Sequence, residues 1–337
     1  MDQATLKALA IKHGLSTSFT TNLVRFYESY CQAGVTNGYS ETECQATFGQ
    51  FVKLVLEELS HPYTFEPYHP CIRTPFDYYQ FGLDFIRLLI NFKKSTLLGT
   101  PNVERIQAQL AKGENVILFA NHQTEPDPQV ISLMLEKDYG KLAVEMIFVA
   151  GHRVVTDPMA IPFSKGRHLI CIYSKRHISY PPEQKEIKLQ HNRLAMHQMG
   201  KLLGEGGKCI YVAPSGGRDR MNENGIVEVA PFDPQSIEMF WLVSRQAGIL
   251  THFYPLALST YALLPPPCKV EKEIGEQRLA HCEPVHLSFG KEIDMENIPG
   301  VDGQVSSVSK VSKQERRLLR SDWIWKLVCE DYRRISL

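Results

Sequence analysis

The chain has no charge of either sign to spare: Lys plus Arg and Asp plus Glu number 37 each, for a formal net charge of zero. A balanced surface provides no global field to gather nucleic acid or an anionic membrane, so any basic site must be local. The eight cysteines (31, 44, 71, 171, 209, 268, 282 and 329) form no C-x-x-C pair. Such scatter argues against a zinc site or a disulfide frame and fits free thiols in a reducing compartment. Long hydrophobic runs are also missing. The most apolar stretch, FGLDFIRLLINF at 81–92, is short and broken by Asp84 and Arg87, whereas a spanning helix needs about 20 apolar residues. The opening MDQATLKALAIKHG has an early acid and lacks the apolar core of a signal peptide. No internal repeat or low-complexity tract occurs. These absences lead us to expect a soluble protein with no nucleic-acid partner and no transmembrane segment, which meets lipid from water, from a carrier or by transient membrane contact.

What is present is ordinary globular composition: 337 residues, 43% hydrophobic and 22% charged. That suits one large domain or two unequal ones. The first hundred residues read as helices. Ser40-Glu41-Thr42-Glu43 is a capping box, followed by Phe48, Phe51, Val52, Val55 and Leu59 at helical spacing. Phe19, Leu23, Phe26 and Tyr30 make an earlier stripe, stopped by Gly34 and Asn37-Gly38. The Pro-rich stretch 61–75 has linker composition, so we expect an N-terminal helical bundle over 1–72 and a larger domain over 73–337.

From about residue 101 the texture changes. Short β-branched or aromatic runs occur at 115–121, 145–151, 168–174, 208–216, 252–260 and 284–290, with patterned segments at 128–138, 183–204 and 234–247. Near-continuous apolar runs mean strands covered on both faces, so we expect an α/β domain with helices flanking the sheet. The C-terminal stretch from Lys313 reads as an amphipathic helix with a basic face.

Three strand ends carry chemistry. After 115–121 comes NHQTEPDP, where Pro126 and Pro128 suit the entry to a helix. A five-residue step in a turn lets Asp127 fold back on His122, and a carboxylate on one ring nitrogen orients an imidazole that works as a base at the other. The plain alternative is a capped helix start with His122 a bystander. VAPSGGRDR at 212–220 ends a strand with two glycines and presents Arg218 and Arg220 at spacing two. If the segment stays extended, both guanidiniums point one way and match a phosphate; otherwise it is a surface turn in which Asp219 pairs an arginine. IYSKRHI at 172–178 adds Lys175, Arg176 and His177, an anion site or a solvated basic turn, and PFSKGR adds Lys165 and Arg167 with the same two readings. Ser215 stands in Pro-Ser-Gly-Gly, which is not the G-x-S-x-G nucleophile elbow.

NHQTEPD resembles the N-H-x4-D motif of the glycerolipid acyltransferases. Together with GHRVVTDP (151–158), PFSKGRHLICIYSKRH (162–177) and APSGGRDR (213–220), it is similar to the soluble, plastid-type glycerol-3-phosphate 1-O-acyltransferases over roughly residues 75–260. The resemblance implies a small helical bundle followed by a larger domain with a mixed sheet. It implies that His122 is the general base on the 1-hydroxyl of glycerol 3-phosphate and Asp127 its orienter. Arg176, His177, Arg218 and Arg220 match positions assigned to phosphate binding, with Lys175 an additional anion contact. Arg176 departs from the lysine of the plant members, which keeps charge but not geometry. The resemblance calls for no cofactor and no metal, and for acyl-carrier protein or acyl-CoA as donor. An acidic carrier would need a basic patch, for which Lys93, Lys94, Arg316, Arg317 and Arg320 are candidates. The expected compartment is the cytoplasm of a bacterial relative or the plastid stroma of a mature plant form. Rival readings are a 1-acylglycerol-3-phosphate acyltransferase, a serine hydrolase on Ser215, and a non-enzymatic phosphate or lipid carrier. Glu125 has no assigned role.

Overall fold

Side-chain caps start the first helices. The computed structural model describes residues 1–267, 276–299 and 312–336, without the side chains of Lys175 and Arg176. In α1 (Gln3–Lys12), α2 (Thr17–Thr36) and α3 (Glu41–Ser60), the side chains of Asp2, Ser16 and Ser40 each accept a backbone N–H, and Ser40 with Glu43 closes the expected capping box. The two apolar stripes meet: Phe26 lies edge-on to Phe48 and Phe51 at centroid distances of 5.3 and 5.8 Å. Leu59 is the exception in its stripe, 39% exposed near the end of α3.

The chain then runs through β1 (Tyr68–His69), α4 (Tyr78–Arg87), β2 (Thr96–Leu98), α5 (Thr100–Ala111), β3 (Asn115–Ala120), α6 (Asp127–Glu145) and β4 (Ile147–Gly151). It continues with α7 (Ile161–Lys165), β5 (His168–Ile172), the short α8 (Lys175–Ile178), α9 (Lys185–Glu205) and β6 (Cys209–Val212). A small hairpin, β7 (Arg220–Met221) with β8 (Val227–Glu228), precedes α10 (Pro234–Gln246), β9 (Thr251–Ser259), β10 (His286–Phe289) and α11 (Lys313–Ile335). Eight strands form one mixed sheet in the order β1-β5-β4-β6-β3-β9-β10-β2. Its central five, β5 to β9 in that order, are parallel, while β1 and β10 run antiparallel to their neighbours β5 and β9.

Strand β3 explains its own composition. Val116, Leu118 and Ala120 face the core layer shared with the N-terminal helices, α4 and α6, while Ile117 and Phe119 face the layer of α9, α10 and α11. Every residue of β3 is buried, so a period-two strand reads as an unbroken apolar run. The helical bundle shares the first layer. Tyr30 stacks on Phe85 at 4.2 Å and donates to its carbonyl at 2.9 Å. The proposed units 1–72 and 73–337 therefore share one continuous core. The stretch read as a linker is more than that: Phe65 and His69 are buried, and β1 pairs with β5. Its aromatic side chains pack, a property that its proline content masks.

No helix among the described residues is long and apolar enough to cross a membrane, and the described cysteines are all free thiols.

Candidate active site

The parallel strands β3, β5 and β6 deliver all three polar turns to the same edge of the sheet, where open α/β sheets bind ligands. At the end of β3, the chain turns through residues 121–126 and enters α6 at Asp127. The His122 Nδ1 lies 2.8 Å from Asp127 Oδ2. Asp127 is fully buried and gathers further donors: Gln123 N–H at 2.8 Å, Thr124 N–H at 3.3 Å and the Thr260 hydroxyl at 2.6 Å. A buried carboxylate with that many donors stays an acceptor only, so the hydrogen on His122 belongs on Nδ1 and Nε2 keeps its lone pair. The imidazole itself is 26% exposed. The Asp127 side chain thus accepts from the turn and from His122, and not from the start of α6, whose N-cap is Pro126 without a side-chain cap.

The neighbours of His122 are pinned as tightly. Asn121 and Gln123 are buried and tie the turn to β9 and its following residues: Asn121 Oδ1 accepts from Leu258 N–H at 2.7 Å, and Gln123 Oε1 accepts from Thr260 N–H at 2.8 Å. Both amides donate to Asp219 Oδ2, at 2.9 and 3.3 Å, while the Asp219 N–H donates to the His122 carbonyl at 2.6 Å. Asp219 therefore joins the arginine segment to the His122 turn. Among the described residues it pairs with no arginine, contrary to the surface-turn reading, because its carboxylate points inward to amides. Burial pushes its carboxyl up to about 6, against the pull of the donors from Ala230, Asn121 and Gln123.

Arg218 and Arg220 flank that bolt. Arg218 Nη2 meets Glu276 Oε1 at 2.6 Å with 16% of its side chain exposed, and Arg220 Nη1 folds back towards the carbonyls of Arg218 and Asp219, 3.2 Å from each. The backbone at 214–217 is turned, and only Arg220 begins an extended element. The structure thus brings His122, Asp127, Arg218 and Arg220 together. His177 sits in α8 with its side chain exposed, after β5, which is two strands from β6 and three from β3 in the sheet. The side chains of Lys175 and Arg176 lie outside the described residues.

An ion network extends around the site. Arg278 grips Glu125 in a fork at 2.8 and 2.9 Å, and its Nη2 also reaches Asp157 at 3.0 Å. Burial opposes the Glu125 charge, yet Arg278 beside it holds the carboxyl below its ordinary range. Burial likewise opposes the Arg278 charge, and Glu125 and Asp157 overcome it, holding the guanidinium above its ordinary range. Glu276 accepts from Arg218 on one oxygen and from Arg153 on the other, at 3.1 Å. Glu125, without a role in the sequence reading, is thus an anchor of the His122 turn. Arg153 and Asp157 stand in GHRVVTDP, a motif whose order was visible although its contacts were not. Glu276 and Arg278 carried no sequence signal at all.

Other candidates settle elsewhere. Ser215 Oγ donates to the Gly217 carbonyl at 2.9 Å, which provides it with no base. Lys165 is buried in an ion pair with Glu58, and Arg167 is buried over the Tyr79 ring, so neither forms an exposed anion site. Arg320 pairs with Glu238 at 2.6 Å over the Trp241 ring, leaving Arg316, Lys93 and Lys94 as the exposed members of the expected basic patch, with Arg317 partly so and 3.5 Å from Glu238. A narrow apolar cavity lined by Phe26, Phe85, Ile86, Leu89, Phe163 and Leu264 adjoins Pro126 and the Glu125–Arg278 pair.

Residues 101–259, from α5 to the end of β9, match the family model described as Acyltransferase. The chain is 36% identical over 321 residues to the chloroplastic glycerol-3-phosphate acyltransferase of Arabidopsis thaliana, which covers 94% of the chain and 68% of that relative. The chain belongs to the glycerol-3-phosphate acyltransferase family. Chloroplastic members from Cucurbita moschata and Spinacia oleracea are 40% and 38% identical over 84% and 81% of the chain, which spans 64% and 58% of their lengths. The family-model match takes in the His122–Asp127 turn and both arginines, but it stops short of Glu276 and Arg278.

Proposed function

We propose that the protein transfers an acyl group from a thioester to the sn-1 hydroxyl of glycerol 3-phosphate, giving 1-acylglycerol 3-phosphate. One observation carries this reading: the Asp127 carboxylate, held by several donors, takes His122 Nδ1, which leaves Nε2 of a partly exposed imidazole to act as a base. Family membership supplies the substrate class, and Arg218 and Arg220, bolted to the same turn through Asp219, suit its phosphate. His177, Arg176 and Lys175 are further phosphate contacts in this reading.

The reaction needs one base and no covalent enzyme intermediate. Nε2 takes the hydroxyl proton as the oxygen attacks the thioester carbonyl. The new C–O bond forms, the C–S bond breaks, and the imidazolium returns the proton to the leaving thiolate. General base catalysis of this kind contributes roughly 10²–10⁴-fold, with Asp127 stabilising the imidazolium. The donor is acyl-carrier protein or acyl-CoA, and the chloroplastic relatives favour the plastid stroma as the compartment. The test is transfer of a labelled acyl group from each donor to glycerol 3-phosphate. His122→Ala should abolish transfer while leaving glycerol 3-phosphate binding intact. Arg218→Ala should raise the glycerol 3-phosphate KM by about tenfold or more. Full activity in His122→Ala would sink the mechanism.

A further inference from the structure

We propose that Asp219 is a positioning residue for His122. Its carboxylate must be ionised to hold Asn121 and Gln123, the residues on either side of His122, so a proton on Asp219 slackens the site while the fold persists. This inference rests on the acyl-transfer reading for the role of His122 as the base.

Three donors converge on a carboxylate that water does not reach. Asp219, Asn121 and Gln123 are all fully buried. The amides of Asn121 and Gln123 donate to Asp219 Oδ2 at 2.9 and 3.3 Å, and the Ala230 N–H donates to Oδ1 at 2.9 Å. Neither amide can turn over. Asn121 Oδ1 is held by the Leu258 N–H at 2.7 Å, and Gln123 Oε1 by the N–H groups of Thr260 and Tyr261 at 2.8 and 3.1 Å. A flip would set an NH2 group against a backbone donor in each case, so the side of each amide that faces Asp219 is always a donor.

An ionised carboxylate satisfies all of these groups, because it is an acceptor only. A protonated one cannot. A hydrogen on Oδ2 meets the two amides, and a hydrogen on Oδ1 meets the Ala230 N–H. Either way a buried donor loses its acceptor, which favours a shift of the chain. The two amides belong to the residues immediately before and after His122, so the shift falls on the imidazole, where small misplacements are costly in rate. The backbone tie behaves differently. The Asp219 N–H on the His122 carbonyl, at 2.6 Å, does not involve the carboxyl and survives protonation.

The surroundings place this proton within reach. Among the described residues no lysine or arginine pairs with Asp219. The titratable groups that face it are His122, Tyr211 of β6, and Cys329 and Tyr332 of α11, with Asp127 beyond Gln123. On its own segment, Arg218 turns to Glu276 and Arg220 reaches backbone carbonyls. Burial keeps the Tyr211 phenol and the Cys329 thiol neutral. Burial also outweighs the three donors and His122 at Asp219 and pushes its carboxyl up to about 6. Because the folded state holds this proton more tightly than the unfolded chain, the proton stabilises the fold as it slackens the site. Stability and activity therefore respond to it in opposite directions, which separates the effect from acid unfolding.

The experiment measures kcat at saturating glycerol 3-phosphate from about pH 5 to about pH 8, in the full chain and in Asp219→Asn. An asparagine carries an NH2 group permanently where a protonated carboxyl carries its O–H, so the variant should resemble the unaltered protein in acid. His122 and the substrate phosphate are present in both proteins and cancel in the ratio of the two rates. That ratio, unaltered to variant, should rise about tenfold as pH rises through about 6 and be flat above about pH 7. Calorimetric binding of glycerol 3-phosphate should differ by less than about threefold, because the backbone tie remains. Two readouts need no variant. An infrared band of a buried protonated carboxyl should appear as pH falls through about 6, and the side-chain amide resonances of Asn121 and Gln123 should shift with the same midpoint. A rate ratio that does not change with pH would leave Asp219 an ordinary structural acid and overturn the proposal. So would losses of binding as large as the loss of kcat, absence of the carboxyl band, or amide resonances that ignore the titration. Failure of the acyl-transfer reading is distinct: the unaltered protein would transfer nothing, while the infrared and amide titrations would still judge the Asp219 junction.

Discussion

Asp127→Asn separates the two things that Asp127 does. The carboxylate accepts from Gln123 N–H and His122 Nδ1 on Oδ2 and from the Thr260 hydroxyl on Oδ1. An asparagine settles with its oxygen in the Oδ2 position, which keeps the first two donors. Its amide then faces Thr260, whose hydroxyl can rotate to accept. Turn geometry and the His122 tautomer both survive, and what disappears is the charge opposite the imidazolium of the proposed transition state. At 2.8 Å, two unit charges attract by about 6 kcal/mol when the effective dielectric constant is near 20. The imidazole is 26% exposed, so water screens a good part of this, and about 3 kcal/mol is a fair share, equal to roughly 100-fold in rate. Steady-state kinetics of Asp127→Asn should show kcat down by roughly 100-fold, with the glycerol 3-phosphate KM within about threefold. A kcat within about threefold of the unaltered protein would leave Asp127 as nothing more than the acceptor that holds the turn before α6 and refute the reasoning.

Two further outcomes follow from buried charges. Burial raises Asp219 from 3.8 to about 6, so the folded state holds this proton more tightly than the unfolded chain. The resulting stabilisation is complete below pH 3.8 and is lost as pH rises through about 6, on the order of 2–3 kcal/mol in all. Urea unfolding of the protein and of Asp219→Asn should therefore show a stability difference that changes between about pH 4 and pH 6 and is flat above; a difference without that slope would be the contrary result. Arg167 is 3% exposed, with Nε and Nη2 unpartnered among the described residues and its guanidinium pulled by burial down to about 10. Exchange for an apolar side chain of similar length removes that desolvation, so Arg167→Met should leave stability unchanged or raise it by up to about 3 kcal/mol. A denaturation midpoint well below that of the unaltered protein would show that stacking on Tyr79, 4.8 Å away, outweighs it.

Much of this architecture is local in origin and was therefore open to reading. The capping box at Ser40 depends on residues three apart, and β3 and α6 announce themselves by an apolar run that ends in a proline-marked helix start. Six strand segments were visible for the same reason. The strands β1, β2, β7 and β8 were not, because each has only two or three residues and exists through its partner, as β1 does through β5. Lys165 and Arg167 looked like a surface anion site because a charged residue carries no local mark of its burial. Their fates were set by Glu58 and Tyr79, more than 80 positions away in the chain.

His122 and Asp127 lie five residues apart within one turn, so the sequence by itself determined that Asp127 could reach His122. It also determined that Arg218 and Arg220 would follow a strand end. Only tertiary structure decided that these two turns meet, through the Asp219 N–H on the His122 carbonyl at 2.6 Å across a separation of 97 positions. Only it could decide that Arg278 pairs with Glu125 and Asp157, that Glu276 pairs with Arg153 and Arg218, and that Arg278 donates to the Glu276 carbonyl between them. Long-range charge pairs have no period and no spacing; they exist where the sheet order brings strand ends together and burial removes the water that would otherwise screen them.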